Sequence, residues 1–303
     1  MQGAGGRRSG RDIPAWSVPM FFVVGAISQY VGAAIGVFLF DTTEPSTVAW
    51  LRAAAAGVAL VAWRRPWRSG LTRHDLVVAV QFGLVTIAMN IAFYEAIARI
   101  PLGTAVAIEF LGPVAVAALG SRRAGDVLAA GLVCVGVVLL AGVDAGIDAV
   151  GFGFALSSAA LWAGYILLGK RVADRGEGLD SLALGMAIGA AALAPLVLIP
   201  QAVIDLAVFA DPRTWVLGVG IGLLSTAVPY ALDQVALAVV GRARFALLLA
   251  LLPATAAVVG ATVLRQIPSP AELAGIAVVM LALLIGARPG GSSGPASPTA
   301  PPA

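Results

Sequence analysis

The chain has one cysteine, Cys134, and one histidine, His74, in 303 residues, and only 12% of its side chains are charged. A single cysteine cannot form an intrachain disulfide, nor build a cysteine-based metal site. His74 stands between Arg73 and Asp75 in a segment read as a solvated loop, a poor setting for a metal ligand. No H-E-x-x-H and no G-x-x-x-x-G-K-[ST] occurs. The chain therefore does not read as an enzyme, no cofactor or metal is expected, and any transport it performs must draw on a gradient or the membrane potential. A concentrated basic patch is missing too. The net charge of +3 comes from residues dispersed over short connections, which argues against nucleic acid. A soluble domain carries about 25% charged residues, twice the fraction found here.

What fills the chain is apolar: 60% of residues are hydrophobic and the mean hydropathy is +0.96. A helix crosses a bilayer with about 20 such residues. Hydropathy divides the chain into ten spans, at 15–39, 46–63, 76–98, 101–120, 126–143, 151–170, 179–200, 214–238, 243–263 and 271–288. With both termini in the cytoplasm, fifteen of the 19 Lys and Arg residues fall on the cytoplasmic side, and only Arg99, Arg213 and Arg265 fall outside. The positive-inside rule favours that orientation. The first span is too long for the apolar core of a signal peptide and reads as a retained helix. Residues 1–14 read as a cytoplasmic tail, and 289–303, rich in Pro, Gly and Ser, as a disordered one.

A gapless shift of 140 residues aligns Thr86 with Thr226 and Pro113 with Pro253, along with Leu84 with Leu224 and Gly120 with Gly260. Five spans per repeat is odd, so the halves 15–143 and 151–288 have opposite orientation. The expected fold is an all-α integral membrane protein of ten transmembrane helices in two inverted five-helix repeats, with its binding site near the bilayer midplane between them. Gly32 with Gly36, and Gly185 with Gly189, read as small-residue packing faces.

Several segments carry a family resemblance. They are Met89-Asn90 with Phe93-Tyr94, Ile100-Pro101-Leu102-Gly103, Ala105-Val106-Ala107, Glu109-Phe110, Gly112-Pro113 and Ser121-Arg122-Arg123 in the first half. In the second half they are Trp162 with Tyr165-Ile166-Leu167, and Leu224-Ser225-Thr226-Ala227 leading into Pro229-Tyr230. Over about residues 18–287 the chain resembles EamA-domain proteins of the drug/metabolite transporter superfamily and, within it, the bacterial inner-membrane exporters of threonine and homoserine. Relatives commonly carry an acid before the proline of the ninth span, whereas Leu252 precedes Pro253 here. The resemblance implies a multi-pass protein of the bacterial inner membrane that exports small amino acids or related metabolites by proton antiport. A small-molecule substrate, the lipid bilayer and the proton are its expected partners, as a monomer or a homodimer. Other cargo, such as a nucleobase, a sugar derivative or an amphiphilic toxicant, is the alternative within transport, and a non-transporting scaffold the alternative outside it.

The candidate pathway residues are those polar groups that cluster by depth. Gln29, Asn90, Glu109, Trp162, Tyr165, Tyr230 and Asp233 fall within about two helical turns of mid-span. An ionised side chain at the bilayer centre costs about 3 kcal/mol, so intramembrane acids usually mark a pathway. Glu109 is the first candidate for ion coupling or for a substrate ammonium, and Asp233, one turn from Tyr230, the second. Arg52 can pair with a carboxylate or snorkel to the interface. Asn90 and Tyr94 share a helix face as a hydrogen-bonding wall, with Glu95 and Arg99 at the outer end. Pro113 and Pro253 are expected to kink their spans and expose carbonyls to a cavity.

Overall fold

Helix starts are set by proline and by short polar side chains. A computed structural model describes residues 18–66, 72–120, 123–142, 148–173, 178–229, 232 and 247–287. Both tails, together with Tyr230 and Asp233, lie outside the described residues. Helix α1 spans Val18–Val37, α2 Pro45–Arg64 and α3 Arg73–Ile97. Pro45 occupies the first turn of α2, where a missing N–H costs no helical hydrogen bond. Thr72 and Asp75 close a capping box at the head of α3. That box draws Arg73, His74 and Asp75 into the helix. The segment read as a loop is the first turn of α3, because paired caps outweigh a run of charge.

The region of the fourth span is two helices, α4 at Leu102–Glu109 and α5 at Leu111–Leu119. Then follow α6 at Ala124–Gly142, α7 at Ala149–Ala173 and α8 at Gly178–Ile204. A 3-10 turn at Leu206–Phe209 leads to α9 at Pro212–Gly222, which runs directly into a π-helix at Leu223–Ala227. Asp205 and Asp211 are the N-caps there, accepting from the Ala207 and Arg213 amides at 2.8 Å each. Finally come α10 at Leu252–Val263 and α11 at Pro270–Gly286, the latter opened by a Ser269–Glu272 capping box.

The described residues form no strand. Six helical stretches are long and apolar enough to cross a membrane, and three shorter apolar helices accompany them. The protein is a multi-pass membrane protein. In lipid, helices gain little from burying apolar surface against one another, so close backbone approach matters more. A Cβ on Gly83 of α3 would collide with the Gly185 carbonyl of α8. Gly32, Gly36 and Gly189 likewise sit against Ser225, Tyr94 and the α3 backbone, as the spacing predicts. Large apolar side chains such as Leu119, Leu196 and Val203 point outward to where lipid stands.

Both ends of the bundle are tied across the two halves of the chain. At one end Gln201 Oε1 accepts from the Glu44 amide at 2.8 Å, and Gln266 Oε1 from the Leu102 amide at 3.0 Å. The second bond supplies the cap that Pro101 cannot give α4. Beside it, Thr104 Oγ1 donates to Glu272 Oε1 at 2.8 Å. At the other end, Arg64 and Asp180 pair at 2.8 Å.

Candidate functional site

Two prolines break the helices at mid-bundle, and a third follows a π-helix. Pro113 has no N–H to return to the Glu109 carbonyl four residues earlier, and α4 ends at Glu109. Pro253 does the same for Leu249, and regular α-helix resumes only at Leu252. Where kinks are expected at Pro113 and Pro253, the helix is interrupted at Phe110 and at residues 250–251. The third, Pro229, stands two residues after the π-helix, a feature that recurs at functional sites. Pro229 leaves the Ser225 carbonyl without an α-type donor and the Leu224 carbonyl without a π-type one. Side chains of the first half fill both gaps. Ser28 Oγ donates to the Leu224 carbonyl at 2.8 Å, and Arg52 Nη2 to the Ser225 carbonyl at 3.1 Å.

A cavity of about 260 Å³ opens at these breaks. Its polar wall includes Gln29, Arg52, Thr86, Asn90, Glu109, Tyr165, Ser225 and Thr226. Its apolar wall includes Met89, Phe93, Trp162, Met186, Pro229, Leu249 and Leu252. Both halves of the chain contribute. Phe110 holds Trp162 with ring centroids 5.0 Å apart, and Phe82 stacks on Tyr165 at 4.8 Å. Asn90 Nδ2 donates to the Thr86 carbonyl at 2.7 Å, which fixes the amide and leaves its oxygen as an acceptor on the wall.

Two charged groups share this space. Glu109 Oε1 accepts from Ser158 Oγ at 2.5 Å, and Ser158 Oγ lies 3.2 Å from the Met89 carbonyl. Arg52 is held by Nε to Thr226 Oγ1 at 3.3 Å and by Nη2 to the Ser225 carbonyl, with its Cζ 5.6 Å over the Tyr94 ring. Neither Arg52 nor Glu109 belongs to an ion pair among the described residues. The cavity therefore presents a carboxyl and a guanidinium, each oriented by neutral partners among the described residues.

Of the residues singled out from sequence, Gln29, Arg52, Asn90, Glu109, Trp162 and Tyr165 come together on the cavity wall. Tyr94 does not reach it. It is fully buried behind Arg52, against Phe40 and Phe93, and its hydroxyl makes no well-formed hydrogen bond among the described residues. Glu95 lies away from the cavity, accepting from the Ser46 amide and pairing with Arg99 at 2.6 Å. Sequence reasoning did not single out Ser158 or Thr226 as contacts of the two charges. Ser158 carries no signal in a chain with many small residues. For Thr226 a signal existed in its match to Thr86 under the 140-residue shift.

A family model, the EamA-like transporter family, matches residues 149–287. The threonine/homoserine exporter RhtA of Salmonella typhimurium strain LT2 is 33% identical over 290 residues, covering 93% of this chain and 93% of that protein. The threonine/homoserine exporter RhtA of Escherichia coli K12 is 32% identical over 280 residues, covering 90% and 92%. A solved structure, described only as a crystal structure of a protein, aligns with a TM-score of 0.55 at 18% identity. It covers 89% of this chain and 95% of that one, a likeness of fold.

Proposed function

Because the chain belongs to the EamA-like transporter family, we propose that it exports small hydroxylated amino acids of the threonine and homoserine kind, by proton-coupled alternating access. The observation that carries this reading is the joint placement in one cavity of Glu109 and Arg52, neither of them ion-paired among the described residues. A charge removed from water without a partner is costly. A zwitterion relieves both at once, its ammonium meeting Glu109 and its carboxylate meeting Arg52. The end of α4 at Glu109 adds the negative pole of a helix dipole, which favours the same cation. The Asn90 carboxamide oxygen can accept from a substrate hydroxyl.

The size of the cavity supports small cargo. Pockets for drug-sized ligands span about 300–1,000 Å³, and this one is smaller. A carrier of cationic amphiphiles has no use for a guanidinium on its wall, so the facing of Arg52 favours amino acids over that alternative. In the cycle, Glu109 alternately holds a proton and the substrate ammonium. Asp233 and Tyr230, on span eight, remain the second choice for that role by sequence position.

The topology follows from the same reading. The protein sits in the inner membrane with both termini cytoplasmic, as ten spans in two inverted repeats, 15–143 and 151–288. The Gln266 end then faces outward and the Arg64 end faces the cytoplasm.

Substrate is tested by overexpression in bacteria exposed to a panel of inhibitory amino acids and analogues. Resistance to excess threonine and homoserine is the expected outcome. Resistance confined to cationic dyes would overturn the amino-acid assignment.

A further inference from the structure

Arg52 has five N–H donors, and the second half of the chain already holds two of them: Nε by Thr226 Oγ1 and one Nη2 hydrogen by the Ser225 carbonyl. Both acceptors sit in the π-helix, on the side-on edge of the guanidinium. Among the described residues no hydrogen bond engages Nη1 or the second Nη2 hydrogen, and Arg52 lines the cavity. A guanidinium can take a carboxylate bidentately on either edge. Among the described residues the side-on edge is taken and the end-on edge is not.

We propose that Thr226 is a positioning residue that aims Arg52, so that a substrate carboxylate is received end-on by the two terminal nitrogens. This rests on the reading of Arg52 as the carboxylate partner. The Ser225 contact alone does not fix the orientation, because a single bond through Nη2 leaves the plane of the guanidinium free to turn about it. The Nε bond to Thr226 supplies the second point. Fixing that plane sets where the substrate's other end falls relative to Glu109. Thr86, the counterpart of Thr226 in the repeat, spends its hydroxyl on the Phe82 carbonyl at 2.7 Å. The two threonines are thus equivalent in sequence and different in use, as are Glu109 and Leu249.

The test is uptake by the full-length protein in proteoliposomes, at matched protein content, with threonine and threoninamide as probes. Threoninamide keeps the ammonium and the hydroxyl and lacks the carboxylate. Thr226→Val preserves the shape and removes the acceptor, and Thr226→Ser retains it. The expected result is a KM for threonine raised about ten-fold in Thr226→Val with a much smaller change in kcat, and restored in Thr226→Ser. The KM for threoninamide stays that of the unaltered protein. Equal shifts for both probes signify helix packing alone and overturn the proposal, as does an unchanged threonine KM. Failure of the underlying reading looks different. An Arg52→Ala protein that still prefers threonine to threoninamide removes the carboxylate role from Arg52, and the role of Thr226 falls with it. Absence of saturable threonine uptake by the unaltered protein overturns both.

Discussion

Arg52 of α2 donates, at 3.1 Å, to the carbonyl of Ser225 that Pro229 deprives of its helical donor. The bond crosses from the first half of the chain to the second and lies on the cavity wall. It makes a defect in one helix the anchor for a cation from another. Pro229→Ala returns an N–H to the π-helix, and the helix can then satisfy its own carbonyls. The expected outcome is a several-fold higher KM for threonine with a Tm at or above that of the unaltered protein, since proline inside a helix costs about 3 kcal/mol. A loss of transport traced to loss of folded protein in a thermal melt would contradict this.

Ser158 is wholly buried and donates to Glu109. Hydrogen bonds to charged groups contribute about 1.5–3 kcal/mol. Ser158→Ala therefore lowers threonine transport by roughly ten-fold or more, whereas replacing the nearby exposed Ser157, which bonds only its own helix, changes little. Flux measurements on the two variants side by side separate the carboxylate contact from general effects on α7.

Close approach of α5 and α7 brings Ser158 to Glu109. A Cβ on Gly112 would collide with the Ala159 carbonyl. Gly112→Ala forces the helices apart, at a cost of about 1–3 kcal/mol for overpacking. Its Tm should fall and its transport should fall further than that of an equally destabilised variant elsewhere, such as Gly286→Ala tuned with mild denaturant. Equal activity at equal stability would remove the link between this contact and the site.

The Gln266 end is held by a cap supplied across the halves. Without Gln266, the Leu102 amide loses its acceptor. Gln266→Ala should speed amide exchange over the first turn of α4 about five-fold, by the loss of a bond of about 1 kcal/mol. Exchange in α2, which this residue does not touch, should stay unchanged. Uniform acceleration would point to global loosening instead.

Much of this was legible in the sequence, and what escaped has a physical reason. Apolar run lengths marked the six helices long enough to cross a membrane and three shorter apolar ones, because a bilayer demands such runs. Depth along those spans gathered Gln29, Asn90, Glu109, Trp162 and Tyr165, since a polar group at mid-membrane has few places to go. Facing was harder. Tyr94 shares a helix side with Asn90 by spacing, yet it packs behind Arg52, because a few tens of degrees around the helix axis separates wall from core. Arg52 itself was undecided between cavity and interface, and the deciding partner, the Ser225 carbonyl, lies 173 residues away. Long-range pairings of that kind leave no mark in local pattern. The first turn of α3 was misread because charge around His74 was weighed above the Thr72 and Asp75 caps.

Glu109 carries the central claim, that one half-buried carboxylate on the cavity wall serves both the proton and the substrate ammonium. The most direct measurement is threonine flux in proteoliposomes under an imposed pH gradient, comparing the unaltered protein with Glu109→Gln. Gradient-driven accumulation in the first and its abolition in the second, with both proteins folded and equally incorporated, is the predicted result. Accumulation that persists in Glu109→Gln, or that ignores the gradient in the unaltered protein, would contradict the account.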